Sequence, residues 1–162
     1  MEGSGRVNAR KHGITESSVL AILAEALGSF PQPSLPGGPL MSQAQSVFGK
    51  ASLTGAWNGT VTLHVPVSVA SSLTSALFAI PAGEISAADR ADVVAELCNV
   101  VAGNLKGLIQ GEVTLSLPTA LEVNAGEAGS QIPPGSGAIA VDVAFPFLGQ
   151  PIAVRIIEYS AP

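Results

Sequence analysis

The sequence predicts an α+β fold in which helices pack against an antiparallel sheet. Three observations carry this. A long stretch from Ser86 to Gln110 has helical periodicity, a segment from Ser46 to Val65 alternates with period two around Asn58-Gly59, and two more alternating runs close the chain. At 162 residues the chain makes one domain. We divide it into a flexible lead over 1–13 and a single domain over 14–162, with a Pro/Gly-rich linker or loop at 30–45 inside it.

Composition narrows the function classes. Only 12% of residues are charged, against about 25% in ordinary soluble domains. A surface that short of charge points to a sizeable interface, and so to a homo-oligomer. The net charge of −5 argues against nucleic acid as a main partner. No apolar run is long enough to span a bilayer. The single cysteine, Cys98, rules out an intramolecular disulfide framework and fits a reducing, cytoplasmic setting. Arg6, Arg10 and Lys11 precede the apolar run Val19–Ala24 in the manner of an export signal, but Glu16 intervenes and Glu25 ends the run too early.

Taken in order, the lead holds three of the seven basic residues and His12, which has no ligand-like company. Thr15 is placed to cap a helix from Glu16 to about Leu27, with Ile14 and Val19 at staple positions and Gly28 as its stop. Phe30–Leu40 has too many prolines and glycines for regular structure. In the hairpin, Ala51, Leu53, Gly55 and Trp57 share one face, Asn58-Gly59 supplies a tight turn, and Val61, Leu63 and Val65 return. His64 then points off the apolar face, as a surface or interface residue. Pro66 ends the strand and starts a helix over Val67–Phe78, whose apolar side is Val69, Leu73, Leu77 and Phe78. After the 86–110 helix, Gly111 is the stop. Val113, Leu115 and Leu117 alternate as a strand to Pro118, and Leu121–Asn124 forms another short one. Residues 125–137 read as a Gly/Ser/Pro-rich loop. Ile139, Val141, Val143 and Phe145 make one face of the next strand and Ile152, Val154 and Ile156 one face of the last, joined by Pro146–Pro151. Across that pair Asp142 faces Arg155.

The Ser86–Gln110 helix is the informative one. It opens with Ser86-x-x-Asp89, a form of capping box. At about 100° per residue, Val93, Val94, Leu97, Val101, Leu105 and Leu108 share the buried face. Asp92, Glu96, Asn99, Gly103, Lys106, Gly107 and Gln110 fall in a narrow arc opposite. Such a stripe is commonly just a solvated face. Two features count against that here. Glu96 and Asn99 stand at i, i+3 and project from neighbouring spots. Gly103, one turn on, costs about 1 kcal/mol of helix stability relative to Ala, and it clears space for another backbone that a solvated face does not need.

Glu96-x-x-Asn99 followed by Ala102-Gly103-Asn104-x-Lys106, and then a strand ending Ser116-x-Pro118, resembles the CheX branch of the CheC/CheX/FliY phosphatases. These act on phosphorylated CheY. Asp92 fits the acidic or hydroxyl position one turn before the glutamate. In the family pattern the proline lies somewhat further beyond the asparagine than Pro118 does here. The resemblance implies a CheC/CheX-like fold, with one motif-bearing helix where larger relatives carry two. It implies a homodimer that pairs through its sheets with strand exchange. The implied activity is hydrolysis of an aspartyl phosphate on a CheY-like response regulator. In that reading Asn99 positions the attacking water and Glu96 docks on the regulator's lysine. Asp92, Gly103 and Lys106 contact the partner. No metal or cofactor is expected on this chain, and Mg²⁺ is expected on the regulator. Two rivals stand beside it: a non-catalytic CheX-like binding module in a signalling or flagellar assembly, and a dimerisation domain whose polar stripe is simply wet.

Overall fold

The structure, a computed structural model, describes residues 9–28, 45–124 and 137–159. The chain runs α1 (Glu16–Gly28), β1 (Gln45–Gly55), β2 (Gly59–Pro66), α2 (Val67–Phe78), a short 3₁₀ turn (Ala82–Glu84), α3 (Ala87–Leu108), β3 (Val113–Leu115), β4 (Thr119–Asn124), β5 (Ala138–Phe147) and β6 (Gln150–Glu158). The strands form one sheet in the order β3-β1-β2-β6-β5, and β4 pairs with β1 beside β3. Every pairing is antiparallel. The three helices contribute to a single core on one face of the sheet, where Leu23, Leu73, Leu97 and Leu105 meet Leu53, Leu63, Val154 and Ile156. This is the α+β architecture the sequence predicts.

Local chemistry sets the helix starts. Thr15 Oγ1 accepts from the Ser18 amide and Ser18 Oγ from the Thr15 amide, a reciprocal cap on α1, and the staple pair Ile14 and Val19 is buried. At α3, Ser86 and Asp89 exchange the two bonds of a full capping box, which also holds the Asp89 carboxyl below its usual range.

The remaining differences from the sequence reading have physical causes. Part of the lead is ordered: residues 9–11 make a helical turn with Ala9 buried. The first hairpin is not closed by a tight Asn-Gly turn. Leu53 pairs with Gly59, so residues 54–58 form a wider loop, closed by a bond from the Gly55 amide to Asn58 Oδ1. Gly59 is needed for space rather than for its backbone, because a Cβ there would lie 2.1 Å from the Trp57 ring. The indole is buried across it, and its Nε1–H has no acceptor among the described residues. α3 ends at Leu108; Ile109 turns extended and drops into the core, leaving Leu108 partly exposed. Leu77 and Phe78, assigned to the packed side of α2, are exposed in its last turn. The strand expected through Leu117 stops at Leu115. Ser116 Oγ takes the Ser52 amide in place of a ladder carbonyl, and Leu117 stands 88% exposed. A register shift between Ile139 and Val141 turns Ile139 to the other face of β5. The connection after β5 is only Leu148-Gly149, both at positive φ, so Pro146 and Pro151 pair inside the ladder. Of the expected linker at 30–45, Gln45 already starts β1 and the rest lies outside the described residues, as does the 125–137 loop apart from Gly137.

Asp142 and Arg155 do face each other, with an ion pair of 3.1 Å between half-exposed side chains. His64 lies on the sheet face away from the helices, half-buried, its ring edge-on to Phe48 at 4.9 Å between centroids. Burial lowers its pKa from the ordinary 6.5, and the Arg155 cation pushes the same way. The folded state therefore favours neutral imidazole. Its contribution to stability is complete above pH 6.5. As pH falls through that value the unfolded chain takes up the proton first, and the contribution is lost until the folded ring is protonated as well. Urea denaturation at about pH 7 and about pH 5 should show a larger loss of stability for the parent than for His64→Gln. Equal losses would mean that His64 is not the group responsible.

Candidate functional site

α3 presents two faces of opposite character. Val93, Val94, Leu97, Cys98, Val101, Ala102 and Leu105 are all buried against the sheet and the other helices. Cys98 is one of them, its thiol pushed up to about 12 by burial, so it packs as a small hydrophobe and is not a nucleophile. Gly49 on β1 lets the helix sit this close. A Cβ there would meet Val94 Cγ1 at 3.0 Å and Cys98 Cβ at 3.6 Å. On the flank, Arg90 is ion-paired to Glu122 of β4, both side chains mostly buried. The sequence reading missed both features. A glycine within the alternating pattern of a strand is the signal that marks Gly49. Nothing local marks the Arg90–Glu122 pair, whose members are 32 residues apart.

The outward stripe is where periodicity places it. Asp92, Glu96, Gly103 and Lys106 are exposed and Asn99 is partly exposed. From Asp92 to Lys106 they run about 21 Å along the helix at its regular rise. Among the described residues Glu96 and Asn99 make no hydrogen bond or ion pair. Asn104 differs, since its amide nitrogen is tied back to the Val100 carbonyl at 2.8 Å. Of the two asparagines in the motif, then, Asn99 is the one with its amide available. Nothing lies within 4 Å of a Cβ built on Gly103 or Gly107, so this chain's own packing requires neither glycine. No group of three or more His, Cys, Asp or Glu among the described residues is arranged to hold a metal ion. No helix among them is long and apolar enough to cross a membrane.

The result is a rigid helix that carries an unengaged carboxylate and an unengaged amide one turn apart, beside bare backbone. It can present a hydrogen-bonding pair to a second surface at close range.

A helix layer on one face of this antiparallel sheet defines a CheC/CheX-like domain, and solved structures share it. CheX from Desulfovibrio desulfuricans superposes with a TM-score of 0.60 at 14% identity, covering 93% of this chain and 98% of that one. CheX from Vibrio vulnificus gives 0.66 at 15%, covering 88% and 95%. A CheX–CheY–BeF3–Mg²⁺ complex from Borrelia burgdorferi gives 0.61 at 15%, covering 90% and 97%. Identities this low speak for the fold alone. The family follows from the sequence: the family model of chemotaxis phosphatase CheX matches residues 47–131, just over half of the chain and all of α3. The chain belongs to the CheX family. No curated protein sequence matches it.

The open space at Gly103 generates a direct test. Gly103→Ala adds a methyl group that meets nothing in this chain. It should raise the stability of the isolated protein by about 1 kcal/mol through helix propensity. A loss of stability in thermal or urea unfolding would show that the glycine serves this chain's own fold.

Proposed function

We propose that this protein dephosphorylates the aspartyl phosphate of a CheY-like response regulator, with Asn99 as the catalytic residue and Glu96 as the docking residue. The observation that carries this reading is the pair itself, exposed on a helix whose other face is buried, with neither side chain engaged among the described residues. Membership of a chemotaxis phosphatase family supports it, as does the similar fold of a CheX seen in complex with CheY.

The chemistry asks little of the phosphatase. A water oxygen attacks phosphorus in line, the bond from phosphorus to the aspartyl oxygen breaks, and the regulator's carboxylate leaves with the electron pair. The water's two protons leave with the inorganic phosphate as H2PO4−. The regulator supplies Mg²⁺ and a lysine to the phosphoryl oxygens, so the missing part is a group that holds the water. The Asn99 amide can accept from the water through its oxygen and donate through its nitrogen. Glu96 reaches the regulator's lysine in a charge-assisted hydrogen bond that sets the helix in register. Gly103 lets the partner's backbone lie close, and Asp92 and Lys106 form the ends of the contact. No metal or cofactor on this chain enters the step.

The assay is loss of phosphoryl label from a cognate regulator, with affinity for the phosphorylated partner measured separately. Asn99→Ala should lose about 10²-fold in rate, in line with deletion of a preorganised polar group, while binding barely changes. Glu96→Ala should weaken binding and turnover together. Both variants should keep stability within about 0.5 kcal/mol of the parent, since both side chains face outward. If Asn99→Ala turns over as fast as the parent, the phosphatase reading fails and a non-catalytic binding module takes its place.

The protein also acts as a homodimer in this proposal. Its surface is short of charge, and the sheet face away from the helices leaves Leu121 and Ile139 exposed. Light scattering at micromolar concentration should give twice the 16.2 kDa chain mass; a monomer would overturn it.

A further inference from the structure

The sheet edge beside α3 carries a β-bulge. Leu115 pairs with Leu53 and Thr119 with Lys50, so residues 116–118 stand opposite only Ser52 and Ala51. The extra residue reverses the alternation. Ahead of it Val113 and Leu115 point to the helix layer; beyond it Ala120 and Glu122 do. The segment is anchored at both ends. The Ser116 amide donates to the Ser52 carbonyl and the Ser52 amide to Ser116 Oγ, each at 2.8 Å, and the ladder resumes at Thr119. Leu117, which the period of Val113 and Leu115 assigns to the core, is left outside it at 88% exposure. A lone leucine on a surface is ordinary. This one is the most exposed large hydrophobic among the described residues, and it stands on a backbone held in place.

Its position relative to α3 follows from the ladder. Gly49 lies beneath Val94 and Cys98 and pairs with Ala120. The Cys98 thiol reaches the Val61 carbonyl at 3.8 Å, and Val61 pairs with Ala51. Cys98, between Glu96 and Asn99 on the helix, therefore sits at the level of Gly49 and Ala51. Leu117 lies on the edge at the level of Ala51 and Ser52. Around the helix, at about 100° per residue, Val94 faces β1 and Arg90 turns toward Glu122 of β4. Continuing in the same sense come Val100, which is only partly buried, and then Glu96 and Gly103. The polar pair and Leu117 border one surface, with Val100 between them.

We propose that Leu117 is an apolar docking residue for the response regulator, entering a shallow apolar recess beside the lysine that Glu96 engages. The assignment rests on the reading of Glu96 and Asn99 given above. It favours the regulator over a second copy of this chain because Leu117 stands beside the motif helix, whereas the exposed Leu121 and Ile139 lie on the sheet face away from the helices. Leu117 touches no reacting atom. Its loss should therefore show in binding and not in the rate of the saturated complex.

Leu117→Ser and Leu117→Met in the full chain test this against a phosphorylated cognate regulator, beside Asn99→Ala. Leu117→Ser should weaken binding about tenfold, the order expected for a buried leucine side chain. The rate at saturating regulator, the melting temperature and the light-scattering mass should keep their parent values. Leu117→Met should bind as the parent does. If Leu117→Ser binds like the parent while Asn99→Ala loses its rate, the docking role is overturned and the phosphatase reading stands. If Leu117→Ser binds weakly while Asn99→Ala turns over like the parent, the docking role stands and the phosphatase reading falls. A changed mass, or a melting temperature that falls with the affinity, also overturns the docking role, because Leu117 then serves the pairing of copies or the fold.

Discussion

Everything that can be said of the candidate site depends on one packing contact, the close approach of α3 to β1 at Gly49. With no side chain there, Val94 and Cys98 settle against the strand backbone and the helix sits deep in the core. Seven consecutive inward positions then fix its rotation. A helix buried so firmly on one side has no freedom to choose what it shows on the other. The orientation of Glu96 and Asn99 is thus a consequence of core packing and needs no contact of their own, so both side chains remain available. The capping box at Ser86 and the Arg90–Glu122 pair hold the front of the helix from two directions. Together these place a polar pair on a stiff support, which suits a function that consists of positioning.

How far the fold was legible depended on the range of the interactions. The α3 face, its cap and the α1 staple are local patterns, within one or two helical turns, and the structure has them where the sequence puts them. The closing strands and the Asp142–Arg155 pairing were legible for the same reason. Errors came where distant chain decides. Asn58-Gly59 reads as a tight turn in isolation, but β1 runs on past the hairpin to pair Gly55 with Val113, and the loop widens to let it. The bulge beside Ile139 leaves no trace in an alternating apolar run. Leu77, Phe78 and Leu108 have the right period for burial, yet each stands in the last turn of its helix, where the apolar face outruns what it packs on.

The site was more legible than its support. A stripe on a helix needs only the helical period to be read, so Asp92, Glu96, Asn99, Gly103 and Lys106 could all be assigned to one surface in advance. What separates an ordinary wet face from an interface is whether polar groups are already engaged, and sequence cannot show that. Asn104 is tied back to its own helix and Asn99 is not, although the two are the same residue type on one helix.

The broken strand along β1 has a further consequence, for solubility. An unbroken strand on that edge would offer incoming chains a continuous row of backbone donors and acceptors, a template for uncontrolled growth. Here the edge consists of three residues of β3 and six of β4. Between them the strand stops, and Pro118 has no amide to offer. A stray strand laid alongside would lose register at that break before it had covered the edge. For a protein with so little surface charge to keep its copies apart, this interruption is a safeguard against precipitation.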